Sequence, residues 1–372
     1  MKAIENVIKN AIESGKVVGA SVLVIKEGQT LFESHTGLAD RDRQTPVTSQ
    51  TIFRLASMTK PIATAAALAL VEQGVLSLDA FITDWLPDFK PTLADGTPGR
   101  ITIRHLLTHT SGLSYGFLML NNEPYYSAGI SDGIDETVLS LDDNLARLAR
   151  VPLLFEPGSN WCYSLSTDVL GAVLAKATGK TIPEIIAEMV TQPLSMQDTV
   201  FHLDSIDRLA RAYKDDGDTP RLMALHDSVP LPELGDIYYA PCRITNDNAY
   251  PSAGAGMAGT ARDYALFLEA IRTGGHPILN SSSIALMTED AVPTFDISVA
   301  GPGVGFGMGF SMIRDSVLAN TPRHRGSFGW GGVYGGQMFV DPTESLSVVI
   351  LTNTALEGCF AFADAITQAI YG

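Results

Sequence analysis

The sequence predicts an α+β protein, an α/β sandwich in which helices flank one antiparallel sheet built from both ends of the chain. Three observations support this prediction: a helix and a hairpin at the start, several strands and a helix at the end, and helices between them. Helices and antiparallel strands that segregate along a chain pack as α+β layers. The middle segment is therefore expected to be an inserted, mostly helical lobe.

The first residues predict an amphipathic helix followed by a hairpin. Two strand-like runs, Val17–Ile25 and Thr30–Ser34, are separated by Glu27-Gly28-Gln29, which is typical of a hairpin turn. In the helix before them, apolar residues recur at helical spacing: Ile4, Val7, Ile8, Ala11 and Ile12.

The most deeply buried element is predicted within Thr51–Leu76. From Ile62 to Val71 nearly every residue is apolar, so a helix here has no solvent-exposed face and must be buried on all sides. Gly74 is its expected end. Pro61 fits the first turn, where backbone N–H groups have no intrahelical partner to lose.

The middle of the chain alternates loops with helices. Mostly loop is predicted for three stretches: Trp85–Arg100, Thr110–Glu136 and Lys214–Ala258. Helices are predicted near His109, at about Leu141–Arg150, at Asp168–Thr178, after a capping box that begins at Thr181, and from Thr260 to Arg272.

The C-terminal part predicts successive strands and a closing helix. The strands are Gly305–Arg314, Ser327–Trp330, Gln337–Val340 and Ser347–Leu351, and the helix is Phe360–Ile370. We therefore divide the chain into a discontinuous α/β domain, residues 1–60 plus 255–372, and a helical domain, residues 61–254. The active site is expected between them.

Composition argues against several classes of function. The 372-residue chain has a formal net charge of −16 and no basic run, whereas nucleic acids and anionic membranes bind clustered Lys and Arg. The N-terminus lacks the apolar core of a signal peptide. Cys162, Cys242 and Cys359 are an odd number without metal-ligand spacing, which favours reduced thiols. We expect a cytoplasmic protein with no membrane partner, no metal and no cofactor, and its oligomeric state stays open.

Two other motifs, one of serine nucleophiles and one of metal ligands, lack the surrounding residues that their functions require. G-x-S-x-G surrounds both Ser114 and Ser131, but neither serine lies between a buried strand and a helix, as a nucleophile elbow requires. His105 and His109 have the i, i+4 spacing of metal ligands, yet no Glu follows His105 and no third ligand is evident. Loop glycines and a structural histidine pair are the better interpretations.

The chemistry-bearing pair is Ser57 and Lys60, at the entrance to the buried helix. Residues three apart on a helix share a face, so the amine is expected beside the hydroxyl. The S-x-x-K pattern is common by chance in a chain of this length. Its position matters more, because an amine carried into an apolar interior is costly unless it is used.

Two further stretches are candidates for the same site as Ser57 and Lys60. Tyr163 follows a Pro-Gly turn and precedes a helix, a position that suits the presentation of a phenol. Trp330-Gly331-Gly332 lies on a C-terminal strand, where a bare backbone can run alongside a substrate. Taken alone, each stretch also fits a structural role, as a half-buried anchor and a tight strand connection.

In this order, the motifs resemble those of the serine β-lactamase and penicillin-binding-protein superfamily, which carries S-x-x-K, then Tyr-x-Asn, then Lys-Thr-Gly. Ser57-Met58-Thr59-Lys60 matches the first motif fully. Tyr163-Ser164-Leu165 matches the second only at Tyr163, and Trp330 replaces the Lys of the third. These departures are similar to those of family VIII carboxylesterases. The resemblance spans nearly the whole chain.

The resemblance implies a β-lactamase/transpeptidase-like fold and ester cleavage through an acyl-enzyme on Ser57. Family precedent makes Tyr163 the base and Lys60 its electrostatic partner. From the residues alone either could take the Ser57 proton, because burial should lower the pKa of Lys60 and the ammonium should lower that of Tyr163. The backbone N–H groups of Ser57 and Val333 would form the oxyanion hole, where one donor contributes ~3 kcal/mol.

Substrate preference is expected to follow from Trp330, which offers apolar surface where β-lactamases present a cation. Uncharged short- to medium-chain esters are the expected substrates, with weak β-lactam hydrolysis as a side activity. Alternatives are an acyltransferase, a β-lactamase or D-stereospecific peptidase, and an inactive ligand-binding homologue. The residues expected to contact substrate are Trp330, Gly331, Gly332, Tyr115 and Leu165.

Overall fold

One large antiparallel sheet organises the computed structural model, which describes residues 1–135, 138–217, 219–356 and 360–372. The strands in chain order are β1 (Gly19–Lys26), β2 (Gln29–Asp40), β3 (Thr45–Pro46), β4 (Phe53–Arg54), β5 (Tyr213–Lys214), β6 (Arg221–Leu222), β7 (Asp227–Pro230), β8 (Asp236–Tyr239), β9 (Ala258–Gly259), β10 (Val304–Phe306), β11 (Ser311–Ile313), β12 (Phe328–Gly332), β13 (Gly336–Asp341), β14 (Leu346–Thr352) and β15 (Thr354–Ala355).

Helices lie on both faces of this sheet and fill the middle of the chain. In order they are α1 (Lys2–Glu13), α2 (Thr59–Glu72), α3 (Ile103–Leu107), α4 (Leu141–Leu148), α5 (Ser166–Thr178), α6 (Ile182–Ile186), α7 (Ala261–Arg272), α8 (Ser281–Thr288) and α9 (Ala361–Tyr371). A 3-10 turn, Ala56–Met58, leads directly into α2.

The main sheet joins the two ends of the chain, as the sequence predicted. Its strand order is β10-β11-β12-β13-β14-β1-β2-β3, and every neighbouring pair is antiparallel. The N-terminal and C-terminal strands meet at β1 and β14, where Val22 lies opposite Ile350 and Val24 opposite Val348. The predicted α+β class is therefore confirmed.

The two faces of the sheet bury different elements. On one face α1 and α9 pack through residues such as Ile8 and Ile366 against Val22 and Ile350. The other face and α2 belong to the largest apolar cluster, in which Ile62 and Leu68 have no exposed surface. The prediction of a helix without a wet face is confirmed for α2, which ends at Glu72 before Gly74 at φ +72°.

The predicted strand Gly305–Arg314 is two strands. β10 and β11 form a hairpin, and the chain reverses between Phe306 and Ser311. Gly309 has φ +88° in this turn, and a Cβ there would lie 2.7 Å from Oγ1 of Thr64 on α2. Only a glycine allows both the left-handed backbone and the close approach to Thr64 at this position. The chain can therefore reverse here, and the residues that read as one strand form a hairpin.

Three further elements differ from expectation. The region predicted as mostly loop, Lys214–Ala258, contains the β7–β8 hairpin. α8 was not expected, although the side chain of Asn280 caps it by accepting from the backbone N–H of Ser283. β2 continues well beyond Ser34 because β3 extends the sheet beside its second half.

Some predictions stay outside what this structure tests. Glu136, which ended a predicted loop, and Cys359 lie outside the described residues. The division into residues 1–60 plus 255–372 and 61–254 remains a prediction. Among the described helices, none is both long enough and apolar enough to cross a membrane.

Candidate active site

The nucleophile candidate Ser57 lies on the 3-10 turn before α2, two residues before the start of the helix that the sequence placed it on. The preceding residue, Ala56, has φ +44°, an unfavourable conformation for a residue with a Cβ. β12 packs against this turn so closely that a Cβ on Gly332 would lie 2.2 Å from the carbonyl oxygen of Leu55. Because Gly332 has no side chain, β12 can pack directly against this turn and hold the Ser57 hydroxyl in position.

Lys60 is 1% exposed, yet its amine has two hydrogen-bond partners. Nζ lies 3.3 Å from Oγ of Ser57 and 2.8 Å from the carbonyl oxygen of Gly254. Desolvation lowers the pKa of Lys60 to about 7, against the opposing fields of Asp168 and Asp132. The lowered pKa favours the free-amine form of Lys60, which lies beside the Ser57 hydroxyl.

Tyr163 lies over the same amine. Nζ of Lys60 is 4.6 Å from the centre of the phenol ring, and Trp330 donates from Nε1 to the phenol oxygen at 3.3 Å. Burial raises the pKa of Tyr163, although hydrogen bonding to Ser57 and Trp330 opposes the shift. The prediction of a lowered pKa is wrong, because the ammonium faces the ring while burial desolvates the whole side chain.

A cavity of about 600 Å³ opens above these groups. Ser57 and Tyr163 line it at one side, and the strand wall contributes Trp330, Gly331, Gly332 and Val333. The carbonyl oxygen of Val333 accepts a hydrogen bond from Tyr239 at 3.0 Å, which fixes this end of the wall. The structure thus brings the predicted nucleophile, phenol and strand wall around one space. The oxyanion-hole role of the Ser57 and Val333 amides stays a prediction.

Two residues predicted to contact substrate lie behind the site. Tyr115 is 2% exposed, with its ring stacked 4.7 Å from Phe117 and 5.0 Å from Nζ of Lys60. Leu165 has no exposed surface and precedes α5. Neither residue lines the cavity. Both lie outside the lining of this cavity, contrary to the expectation that they face the substrate.

The residues of the two rejected motifs have structural partners. Ser114 Oγ donates to the carbonyl oxygen of Tyr115, and Ser131 Oγ donates to Asp135. The His105 ring belongs to the cap of α3. His109 is buried, with Nδ1 3.1 Å from Oγ of Ser164. Across the described ranges, no group of His, Cys, Asp and Glu side chains is arranged to hold a metal.

Sequence reasoning missed three groups beside Lys60. The Gly254 carbonyl accepts from its amine, the His109 ring lies 5.0 Å from that of Tyr163, and the Asp168 carboxylate is buried in the first turn of α5. A signal for Asp168 was present: it is an acid that directly precedes the apolar run 169–175 of α5, a pattern like the one that singled out Lys60. No local pattern marks a glycine whose carbonyl receives a distant amine.

The two-ended antiparallel sheet and the S-x-x-K turn beneath it define a β-lactamase/transpeptidase-like fold with a serine–lysine–tyrosine site. The family model described as Beta-lactamase matches residues 4–370, so the chain belongs to that family. This confirms the superfamily that the motifs predicted.

Relatives and solved structures agree with this assignment. Esterase EstB of Burkholderia gladioli is 45% identical over 357 residues, covering 95% of this chain and 91% of EstB. The structure of EstCE1, described as a hydrolase with promiscuous acyltransferase activity, matches with a TM-score of 0.95 at 41% identity, covering 100% of this chain and 98% of EstCE1. Simvastatin synthase from Aspergillus terreus shares the fold, with a TM-score of 0.78 at 23% identity, covering 99% and 97% of the two chains.

Proposed function

We propose that this protein is a serine carboxylesterase that works through an acyl-enzyme on Ser57. One observation carries the proposal: the Ser57 hydroxyl lies 3.3 Å from a buried lysine amine whose pKa is lowered to about 7. A serine hydroxyl is a poor nucleophile unless a base lies beside it, and the Lys60 amine is close enough to act as that base. The 45% identity to an esterase over nearly the whole chain supports the same activity.

In the acylation step, the amine of Lys60 takes the Ser57 proton while Oγ attacks the ester carbonyl carbon. The negative charge that develops on the carbonyl oxygen is stabilised by the backbone N–H groups of Ser57 and Val333. Tyr163 then donates its phenol proton to the leaving alcohol oxygen as the C–O bond breaks, and the Lys60 ammonium reprotonates the phenolate. The raised pKa of Tyr163 suits this role, because a protonated phenol is a donor.

Deacylation repeats these proton-transfer steps with water as the nucleophile. The Lys60 amine, through Tyr163, accepts a proton from the water that attacks the acyl carbon. The resulting Lys60 ammonium returns a proton to Ser57 Oγ as the bond between the acyl carbon and Oγ breaks. The enzyme ends in its starting protonation state, so the net reaction is hydrolysis of the ester to an acid and an alcohol.

The cavity wall favours uncharged esters. Trp330 presents an indole where the related β-lactamases carry a cation, and the lining also contains a set of apolar side chains, although Arg323 and Asp364 belong to it as well. The apolar set includes Phe117, Leu118, Leu231, Leu234 and Ile237. Burying a charged substrate group against this surface without a partner would be costly, whereas an alkyl chain gains by leaving water.

An alcohol can replace water in the second step, which would make the protein an acyltransferase. The 41% identity to EstCE1, a hydrolase with promiscuous acyltransferase activity, favours this as a second activity. A p-nitrophenyl ester assayed with and without added short alcohols distinguishes the two. Product ester that increases with alcohol concentration supports transfer, and acid as the sole product limits the enzyme to hydrolysis.

The proposal is tested by Ser57→Ala together with covalent labelling. We expect a fluorophosphonate to form one adduct with the wild-type protein. This adduct should map to Ser57 and should be absent from the variant. Ser114→Ala is the matched control, because it removes a buried serine of the rejected G-x-S-x-G motif. An adduct on Ser114 or Ser131 would contradict the assignment, and a folded wild-type protein that takes no label would support an inactive ligand-binding homologue.

We also propose a cytoplasmic location, with a small-molecule ester as partner and no nucleic acid or membrane. The free thiols of Cys162 and Cys242 and the strongly negative net charge support this proposal. Fractionation of cells that express the native gene, with the activity measured in each fraction, tests the location.

A further inference from the structure

A buried carboxylate behind the nucleophile has no role in the steps described so far. Asp168 is 2% exposed, and among the described residues neither of its oxygens makes a hydrogen bond of normal geometry, although Ser252 and the backbone N–H of Gly254 lie close enough to oppose the rise of its pKa. Buried carboxylates normally accept hydrogen bonds, because an unsatisfied charged group is costly in an apolar surrounding. Burial of Asp168 without well-formed hydrogen bonds therefore lowers the stability of the fold, which points to a functional reason for this residue.

Asp168 and Lys60 converge on Gly254 from different helices. A Cβ added to Gly254 would lie 2.8 Å from Oδ2 of Asp168 and 3.5 Å from Nζ of Lys60. The same point is 3.1 Å from the phenol oxygen of Tyr115. Only a residue without a side chain leaves the carboxylate, the amine and the phenol this close together.

The arrangement places a negative charge within range of the catalytic amine but outside direct contact. The Lys60 amine already donates to the Gly254 carbonyl at 2.8 Å and contacts Ser57 Oγ at 3.3 Å. Burial drives the pKa of Lys60 down, and the field of Asp168 is the largest effect that opposes it. Burial also raises the pKa of Asp168, and the Lys60 charge opposes that rise.

We propose that Asp168 is a positioning residue that acts across Gly254 and sets the pH at which Lys60 becomes a free amine. The proposal rests on the proposed function, in which the amine form of Lys60 is the base. Without the carboxylate, the ammonium would be disfavoured further by burial, and the amine would be a weaker base. Asp168 thus keeps the amine basic enough to take a proton from Ser57.

The groups that face this pair come from several elements. Around Lys60 they are Ser57 on the 3-10 turn, His109 after α3, Tyr115 and Asp132 on the following loop, and Tyr163 before α5. Around Asp168, in addition to Lys60, they are Ser252, Tyr250, Arg243, Tyr115, Tyr163 and Asp132. Asp132 also acts on Lys60, but its oxygens accept the backbone N–H groups of Gly116 and Phe117.

A structural role is the competing explanation. Asp168 lies in the first turn of α5, where a negative charge stabilises a helix through its dipole. Loss of that contribution would lower the melting temperature and the amount of active enzyme, but it would not move the pH dependence of catalysis. The pH profile therefore separates the two explanations.

The test is the pH profile of kcat/KM for Asp168→Asn, which removes the charge and keeps the size. The ascending limb should move to lower pH by about one unit or more, and the plateau should fall because the amine is less basic. Asp135→Asn is the matched control: it removes another buried carboxylate, one that accepts from Ser131, and its limb should not move. A limb that stays in place in Asp168→Asn, or moves to higher pH, overturns the proposal.

Two further measurements keep the proposal testable if this variant folds poorly. Gly254→Ala should displace the carboxylate from the amine and shift the limb in the same direction. In a Ser57→Ala background, NMR titration of 13C-labelled lysine gives the Lys60 pKa directly, assigned by its absence in Lys60→Met. A lower Lys60 pKa with Asp168→Asn supports the proposal even if Ser57 proves not to be the nucleophile, and an unchanged value overturns it.

Discussion

The floor and the wall of the active site are built by opposite means. The floor carries ionisable groups on buried helices, above all Lys60 on α2 and Asp168 on α5, both almost without exposed surface. The wall is the strand β12, in which Trp330 is the one large side chain between glycines. In the floor, ionisable groups become reactive because they are held away from water. In the wall, the glycines leave the backbone accessible to a substrate, so Trp330 dominates the surface that the substrate meets.

The difference shows which changes each region tolerates. A substitution in the floor alters a pKa or a proton transfer, so it should act mainly on kcat. A substitution in the wall alters the position of the 3-10 turn or the surface offered to the substrate. The predictions below, from the largest expected effect to the smallest, test this division.

Lys60→Met should have the largest effect, because it keeps an unbranched buried chain and removes the amine that lies 3.3 Å from Ser57 Oγ. We expect kcat/KM for a p-nitrophenyl ester to fall by about 10⁴-fold with little loss of stability. Lys176→Met, at an exposed position on α5, is the control and should keep full activity. Retention of more than a tenth of the wild-type rate by Lys60→Met would place the base elsewhere.

Tyr163→Phe should lower kcat by about 10³-fold with a smaller change in KM, since the lost hydroxyl transfers a proton while Phe keeps the ring that lines the cavity. The double variant with Lys60→Met should be little worse than Lys60→Met alone, because residues that act as one unit are not additive. Steady-state kinetics of the four proteins measure this coupling, and additive losses would show that the two groups act independently.

Gly332→Ala tests the wall as a support. Its Cβ would meet the Leu55 carbonyl oxygen at 2.2 Å, so the turn that carries Ser57 must shift. A displacement on the order of 1 Å typically costs about 10²-fold in rate, and we expect that loss in kcat. Gly326→Ala is the control, because its Cβ would meet no neighbouring atom and only its backbone at φ +86° would be strained; stability should fall while kcat stays within a few-fold of wild type.

Trp330→Lys tests the wall as a selectivity surface and should have the smallest effect. Neutral esters should lose about tenfold in kcat/KM, because apolar surface is replaced and the hydrogen bond to Tyr163 is lost. β-Lactam turnover should not increase, since the second motif still lacks its Asn at Leu165, which lies buried behind the site. Rapid hydrolysis of nitrocefin by the single variant would contradict this account of selectivity.

Much of this site was predictable because the signals are local. The unbroken apolar run after Ser57 and Lys60 specified a buried helix, and the order of the three motifs specified the fold. The pairing of β1 with β14 followed from strands at both ends of the chain. The β10–β11 turn was missed because Gly309 is one of several alternating glycines, and its partner, Thr64, lies on a distant helix.

The electrostatics were predicted in part. Burial lowers the pKa of Lys60 as expected, since desolvation follows directly from an apolar helix. The shift of Tyr163 was predicted with the wrong sign, because the sequence does not show that the amine would face the ring. The convergence of Asp168 and Lys60 on Gly254 depends on a tertiary contact between positions far apart in the chain.

The most direct test of the central claim is the pH dependence of Ser57 acylation, measured by rapid quench and intact mass in a single turnover. The amine form of Lys60 is the active one, so the rate should rise with pH and level off above about 7, where the lowered pKa of Lys60 lies. In Lys60→Met the limb should disappear along with most of the rate. A wild-type acylation rate that stays constant from about pH 6 to 9 would contradict the claim that this buried amine is the base.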